Sequence, residues 1–159
     1  VLVEELLRDA SLVGEVMEVF GGPRQDVQMQ ARAAWLVEKV SAIDVAGVAP
    51  YRDVILEVWP RVEHWLVRSC FCQVVMRLRL GRDERVAVFG MLREFVSRPS
   101  RVNSIVVRTN AMEAMVVIAG RDAGMREEAS EVVEWAMVEG TPAMRARGRK
   151  MWRRFGAWV

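Results

Sequence analysis

The sequence predicts an all-α protein. Hydrophobic residues make up 52% of its 159 residues, and in most segments they recur every three or four positions, which is the spacing of one helix face. The Val-rich segments are too long for strands and lie between helix ends. Residues that end helices separate the segments, among them Gly21, Pro23, Pro60, Gly81 and Pro99. About eight helices in antiparallel pairs are therefore expected.

The expected helices have recognisable starts. Asp26 is a typical N-cap for the second segment, and Pro50 suits the first turn of the third, which Pro60 ends. Thr141 followed by Pro142 opens the last segment. The first segment predicts one or two short helices. In order, the segments cover approximately residues 2–20, 26–42, 50–59, 64–79, 83–98, 102–120, 125–138 and 142–158.

The segment 102–120 is apolar on nearly every side. At 100° per residue, its Val, Ile, Met and Ala residues leave almost no polar arc, although Arg108 and Glu113 interrupt the run. A helix of this kind is expected to lie inside the fold, with neighbours on most sides. Its longest apolar run, 105–119, is too short and too charged to span a bilayer.

An arginine occupies the second position of four segments that can be aligned with one another. The segments are ARAAWLVEK (31–39), VRSCFCQVV (67–75), VRTNAMEAM (107–115) and MRARGRKMW (144–152). The intervals between these arginines are 36, 40 and 37 residues, and the residues are Arg32, Arg68, Arg108 and Arg145. Such intervals are typical of two-helix repeats that stack into an α-solenoid. We therefore expect a single domain, 1–159, with approximate repeats 1–43, 44–80, 81–122 and 123–159.

Four stretches then carry a family resemblance. They are RAAWLVEKV (32–40), His64 followed by Val67 and Arg68, AMEAMVVIA (111–119) and EGTPAMRARGRK (139–150). With them the chain resembles the HEAT-like repeat proteins, and more closely a small bacterial HEAT-like family. The resemblance implies an α-solenoid. In HEAT repeats an acid six residues before the arginine often pairs with a neighbouring repeat; Asp26 and Glu139 fit that position, but Val62 and Val102 do not.

The sequence offers little that an enzyme needs. The single His, His64, lies at a helix start beside Glu63, where capping or a surface position is expected. Cys70 and Cys72 are two apart in a helix, so they point to different faces and are interpreted as small core residues. No phosphate loop or nucleophile elbow is found. No catalytic residue, metal ligand or cofactor is predicted.

The charge of the chain is polarised from end to end. Residues 1–20 carry a net charge of −4, whereas residues 141–159 carry +6. The acidic start lacks the basic region and uncharged run of a signal peptide, so a cytoplasmic protein that does not contact a membrane is expected.

The last segment is predicted to have two faces. Met144, Gly148, Met151, Trp152 and Phe155 gather on one side, which should be buried. Two basic rows cover the rest: Arg145, Arg149 and Arg153, and Arg147, Lys150 and Arg154. The alternative is a solvated face, partly neutralised by acids of the preceding helix, Glu127, Glu128, Glu131 and Glu134.

The six tryptophans are candidate binding residues, because aromatic side chains are common at interfaces. Trp35 and Trp135 lie within apolar stripes and are expected in the core. Trp59 and Trp65 flank Pro60 and are expected to pack on each other, whereas Trp152 and Trp158 are expected to be more exposed.

The sequence therefore predicts a non-enzymatic scaffold that binds an acidic peptide or protein surface. Its candidate binding residues are Arg32, Arg68, Arg108, Arg145, Arg149 and Arg153, either as a cationic row on a concave face or on the C-terminal helix. Internal pairing of the repeat arginines is an equally good interpretation. The alternative function is nucleic-acid binding, in which the chain would resemble the HEAT-like DNA glycosylases, solenoids with a cationic concave surface.

Overall fold

The computed structural model describes residues 1–22 and 26–155. Within these ranges the chain forms nine α-helices and no strand, which confirms the all-α prediction. The helices are α1 (Leu2–Arg8), α2 (Ser11–Met17), α3 (Val27–Ile43), α4 (Arg52–Glu57), α5 (Trp65–Val75), α6 (Arg82–Ser97), α7 (Ile105–Gly120), α8 (Arg126–Glu139) and α9 (Pro142–Phe155). The chain consists of two compact units, Val1–Leu80 and Gly81–Val159.

In the first unit, α3 packs on α5, and both α1 and α2 pack on α3. α1 and α2 are separate because Asp9 ends the first helix and its Oδ1 accepts hydrogen bonds from the backbone N–H (3.0 Å) and hydroxyl (2.6 Å) of Ser11. The apolar interior contains Val37, Ile55 and Phe71. Burial of these side chains is the main force that holds the short helices together.

In the second unit, α7 packs against α6, α8 and α9, and α8 packs against α9. Met112, Ala114 and Met115 of α7 are fully buried, as expected for an inner helix. The first turn departs from that prediction, since Ile105 is 51% and Val106 50% exposed. The apolar pattern alone does not reveal this difference, because it does not show that only one side of the first turn is covered, the side of Val107, which is fully buried.

Two predicted helix starts have the expected chemistry. The Asp26 carboxylate accepts from the N–H groups of Gln28 (2.9 Å) and Met29 (3.1 Å) at the start of α3. His64 Nδ1 accepts from the Leu66 N–H (3.2 Å) at the start of α5, which confirms the capping role. The segment predicted over residues 50–59 is less regular, because short 3₁₀ turns, Ala49–Tyr51 and Trp59–Arg61, enclose the six-residue α4.

The tryptophan predictions were partly wrong. Trp35 is 44% and Trp135 40% exposed, so neither belongs to the core; each lies at an edge of its apolar stripe that its neighbours leave partly exposed. Trp59 is fully buried and packs on Phe20, with ring centroids 5.3 Å apart, while the exposed Trp65 stacks on His64. Trp158 lies outside the described residues.

Across residues 1–22 and 26–155, no helix combines the length and apolar character that crossing a membrane requires.

Candidate binding surface

Helix α9 has a defined start and one buried face. The Thr141 hydroxyl accepts from the Met144 N–H at 3.4 Å, and Pro142 follows as the first helical residue. Met144, Gly148 and Met151 are buried. Three of the five residues expected on that face are therefore buried, whereas Trp152 is 40% exposed and Phe155 is half-buried beside it, with ring centroids 5.4 Å apart.

Gly148 allows α9 to approach α8 closely. A Cβ atom added at this position would lie 2.9 Å from Met137 Cγ, closer than carbon atoms pack without displacement. The small residue therefore helps to fix which side of α9 faces the unit and which side faces solvent.

The remaining faces of α9 are basic and exposed. Arg145, Arg149, Lys150, Arg153 and Arg154 are all exposed. Within the part of the chain that the structure describes, none of these five forms an ion pair. The acids of α8 thus make no salt bridge to them, and the only α8 acid in such a pair, among the described residues, is Glu128, which contacts Arg93 of α6 at 2.7 Å. We refer to these five cations as the basic face of α9.

Arg147 differs from the other cations of α9. It is half-buried, and its NH1 donates to Glu113 Oε2 on α7. This contact attaches α9 to the inner helix of the unit, so Arg147 is bound internally rather than presented to a partner.

The four repeat arginines do not share one environment. In the second unit, Arg108 Nε donates to the Val96 carbonyl at 2.9 Å, and its guanidinium lies 5.9 Å from the centroid of the Trp135 ring, whereas Arg145 is exposed. In the first unit, Arg32 is exposed and Arg68 is half-buried. Burial lowers the pKa of Arg68, while the charge of Glu63 acts in the opposite direction.

Arg32 lies on the wall of an apolar groove formed by α1, α2 and α3. The groove has a volume of about 500 Å³, and Glu5 and Glu15 share its lining with Arg32. The two carboxylates would repel an acidic partner. Among the predicted binding residues, the exposed cations of α9 are therefore better placed than Arg32 for such a partner.

The groups with catalytic potential are mostly occupied or buried. His64 is used as a helix cap. Cys70 and Cys72 are buried, and burial raises the pKa of the Cys70 thiol to about 12, so the thiolate nucleophile is disfavoured there. Within residues 1–22 and 26–155, no group of three His, Cys, Asp or Glu side chains is placed to hold a metal ion.

Comparisons with protein-family models, with curated proteins and with solved structures gave no match for this chain.

One cluster was missed by the sequence analysis. Arg52, Arg77 and Arg79 line a single cavity of the first unit. No sequence pattern connects Arg52 with the other two, because the fold brings the start of α4 close to the turn that follows α5.

Proposed function

We propose that this protein is a non-enzymatic interaction scaffold that binds an acidic peptide or protein surface through the basic face of α9. One observation carries the proposal: five exposed cations on one helix have no ion-pair partner among the described residues. Solvated positive charge without an internal partner raises the rate of encounter with an acidic ligand and favours its specific orientation.

The spacing of the cations suits a peptide. Arg145, Arg149 and Arg153 are four residues apart, so they lie about 6 Å apart along the helix axis. Acidic residues at positions i and i+4 of a partner helix have the same spacing. Arginine can also make two hydrogen bonds to a single carboxylate, which adds geometric specificity.

The scaffold architecture is part of the same proposal. An all-α chain in which an arginine recurs at intervals of 36 to 40 residues is compatible with a HEAT-like α-solenoid, in which terminal repeats commonly have a polar outer face. We propose that α9 is the second helix of such a terminal repeat and that its basic face is available to a partner.

The test uses fluorescence anisotropy with a labelled helical peptide that has Glu at every fourth position. The double variant Arg149→Glu/Arg153→Glu should weaken binding at least about a hundredfold, because each of the two lost charged hydrogen bonds contributes about 1.5–3 kcal/mol. The control Arg82→Glu/Arg101→Glu changes the net charge equally at exposed positions of the same unit and should retain most of the affinity. Equal weakening by both double variants would contradict a specific site on α9.

Nucleic-acid binding is the second candidate, and the exposed Trp152 favours it. Trp152 lies next to Arg153 in the chain and is 40% exposed, and an aromatic ring beside cations can stack on an unpaired base. The salt dependence separates the two functions. If the protein binds phosphates, a plot of the logarithm of oligonucleotide affinity against the logarithm of salt concentration should have a slope of about −0.7 to −0.9 per phosphate contact. Sub-micromolar oligonucleotide binding near physiological salt, lost in Trp152→Ala, would reverse our order of preference.

A further inference from the structure

The cavity lined by Arg52, Arg77 and Arg79 has the features of an anion-binding site. Its volume is about 350 Å³, which lies at the lower end of the range for small-molecule sites. The remaining lining is apolar and includes Val45 and Leu78, and none of the described residues that line it is acidic. The cavity therefore combines a charged wall with an apolar one.

Arg77 is held in place on one side. Its NH1 donates its two hydrogens among three acceptors, Glu38 Oε1 (2.9 Å), the Glu38 carbonyl (3.1 Å) and Ser41 Oγ (2.7 Å), so that one hydrogen is shared. All of these contacts use the same nitrogen. Within the described part of the chain, Nε and NH2 have no hydrogen-bond acceptor, so the edge of the guanidinium that commonly binds an oxyanion through two N–H groups is available.

The surroundings of Arg77 retain positive charge although Glu38 is close. Lys39 Nζ contacts Glu38 Oε2 at 2.9 Å, so the one carboxylate is shared by two cations. Arg79 is exposed and makes no ion pair with the described residues, and Arg52, which has an interaction of its own, adds charge to the same wall. The nearby acid Asp44 adjoins Val45 in the chain but does not line the cavity. Its Oδ1 accepts a hydrogen bond from the Ala46 N–H at 3.0 Å.

We propose that this cavity binds the phosphate group of a small phosphate monoester. Arg77 would bind two phosphate oxygens through its free edge, Arg79 would contribute the second cation, and the organic part would lie against Val45 and Leu78. A phosphate monoester carries nearly two negative charges at neutral pH, which matches several arginines better than the single charge of a carboxylate. This site lies in the first unit and does not depend on the partner proposed for α9.

The test is isothermal titration calorimetry of the whole protein at constant ionic strength with phenyl phosphate, inorganic phosphate and benzoate. Phenyl phosphate should bind most tightly, because inorganic phosphate lacks the apolar group and benzoate lacks the second charge. Arg79→Ala should weaken binding of phenyl phosphate about tenfold or more, as expected for loss of a charged contact. Arg61→Ala, which removes an exposed arginine of the same unit that does not line the cavity, should leave it unchanged.

Arg77→Lys provides a second test, because lysine keeps the charge beside Glu38 but cannot offer two N–H groups in one plane. It should weaken the binding of phenyl phosphate and of inorganic phosphate by a similar factor, because the two N–H groups contact the phosphate group that both ligands carry. If circular dichroism shows that Arg77→Lys is unfolded, the comparison of Arg79→Ala with Arg61→Ala tests the proposal instead. Absence of phenyl phosphate binding by the wild-type protein, benzoate binding as tight as phenyl phosphate, or equal effects of Arg79→Ala and Arg61→Ala would each overturn the proposal.

Discussion

Arg77 in the first unit and Arg149 in the second carry the same charge in opposite surroundings. Arg77 donates to Glu38, whose side chain is only 4% exposed, whereas Arg149 is exposed and has no ion pair within the described residues. Removing an arginine from a buried carboxylate leaves an uncompensated charge, but removing a solvated arginine costs little. The comparison indicates that burial of the partner acid decides how much each arginine contributes to stability.

The largest effect is expected for Arg77→Ala. The free energy of unfolding should fall by about 3 kcal/mol, at the lower end of the range for breaking a buried pair, because Lys39 still contacts Glu38. Urea denaturation followed by circular dichroism measures the change. Arg79→Ala, two residues further along the chain and exposed, is the matched control and should change stability by less than about 0.5 kcal/mol. Similar losses in both variants would show that burial of Glu38 is not the cause.

Sequence patterns predicted most of the helices because the relevant chemistry is local. An N-cap acts over two or three residues, as Asp26 does for Gln28 and Met29. Likewise, Met144, Gly148 and Met151 are buried together because spacings of three and four residues place them on the same face of one helix. Both predictions needed only the geometry of a single helix.

The patterns failed where another helix decides the outcome. Trp35 lies in an apolar stripe, yet it is 44% exposed, since the stripe does not show which of its edges a neighbour will cover. The contact between Glu38 and Arg77 joins residues 39 positions apart, and no local spacing predicts it. The candidate basic face was predictable because its residues are close in sequence, whereas the arginine cavity was not.

A smaller effect is expected for Arg147→Ala, whose partner Glu113 is 17% exposed. The variant should lose about 1–2 kcal/mol, since a partly solvated carboxylate regains some hydration when the arginine is removed. Denaturation is compared with that of Arg93→Ala, which breaks a contact with Glu128, a residue 39% exposed, and should lose less than about 1 kcal/mol. A larger loss for Arg93→Ala than for Arg147→Ala would break the proposed relation between burial and stability.

The smallest effect is expected for the double variant Arg149→Glu/Arg153→Glu. Acidic residues near the end of α9 interact unfavourably with the helix dipole, by a few tenths of a kcal/mol each. The substitutions also relieve repulsion among the neighbouring cations, because α9 contains Arg145, Lys150 and Arg154 but no acid. The two changes oppose each other, so the net loss should stay below about 1 kcal/mol and the melting temperature should hardly change. A loss of stability as large as that of Arg77→Ala would mean that Arg149 and Arg153 make structural contacts. Weaker peptide binding by the double variant could then no longer be assigned to the basic face of α9.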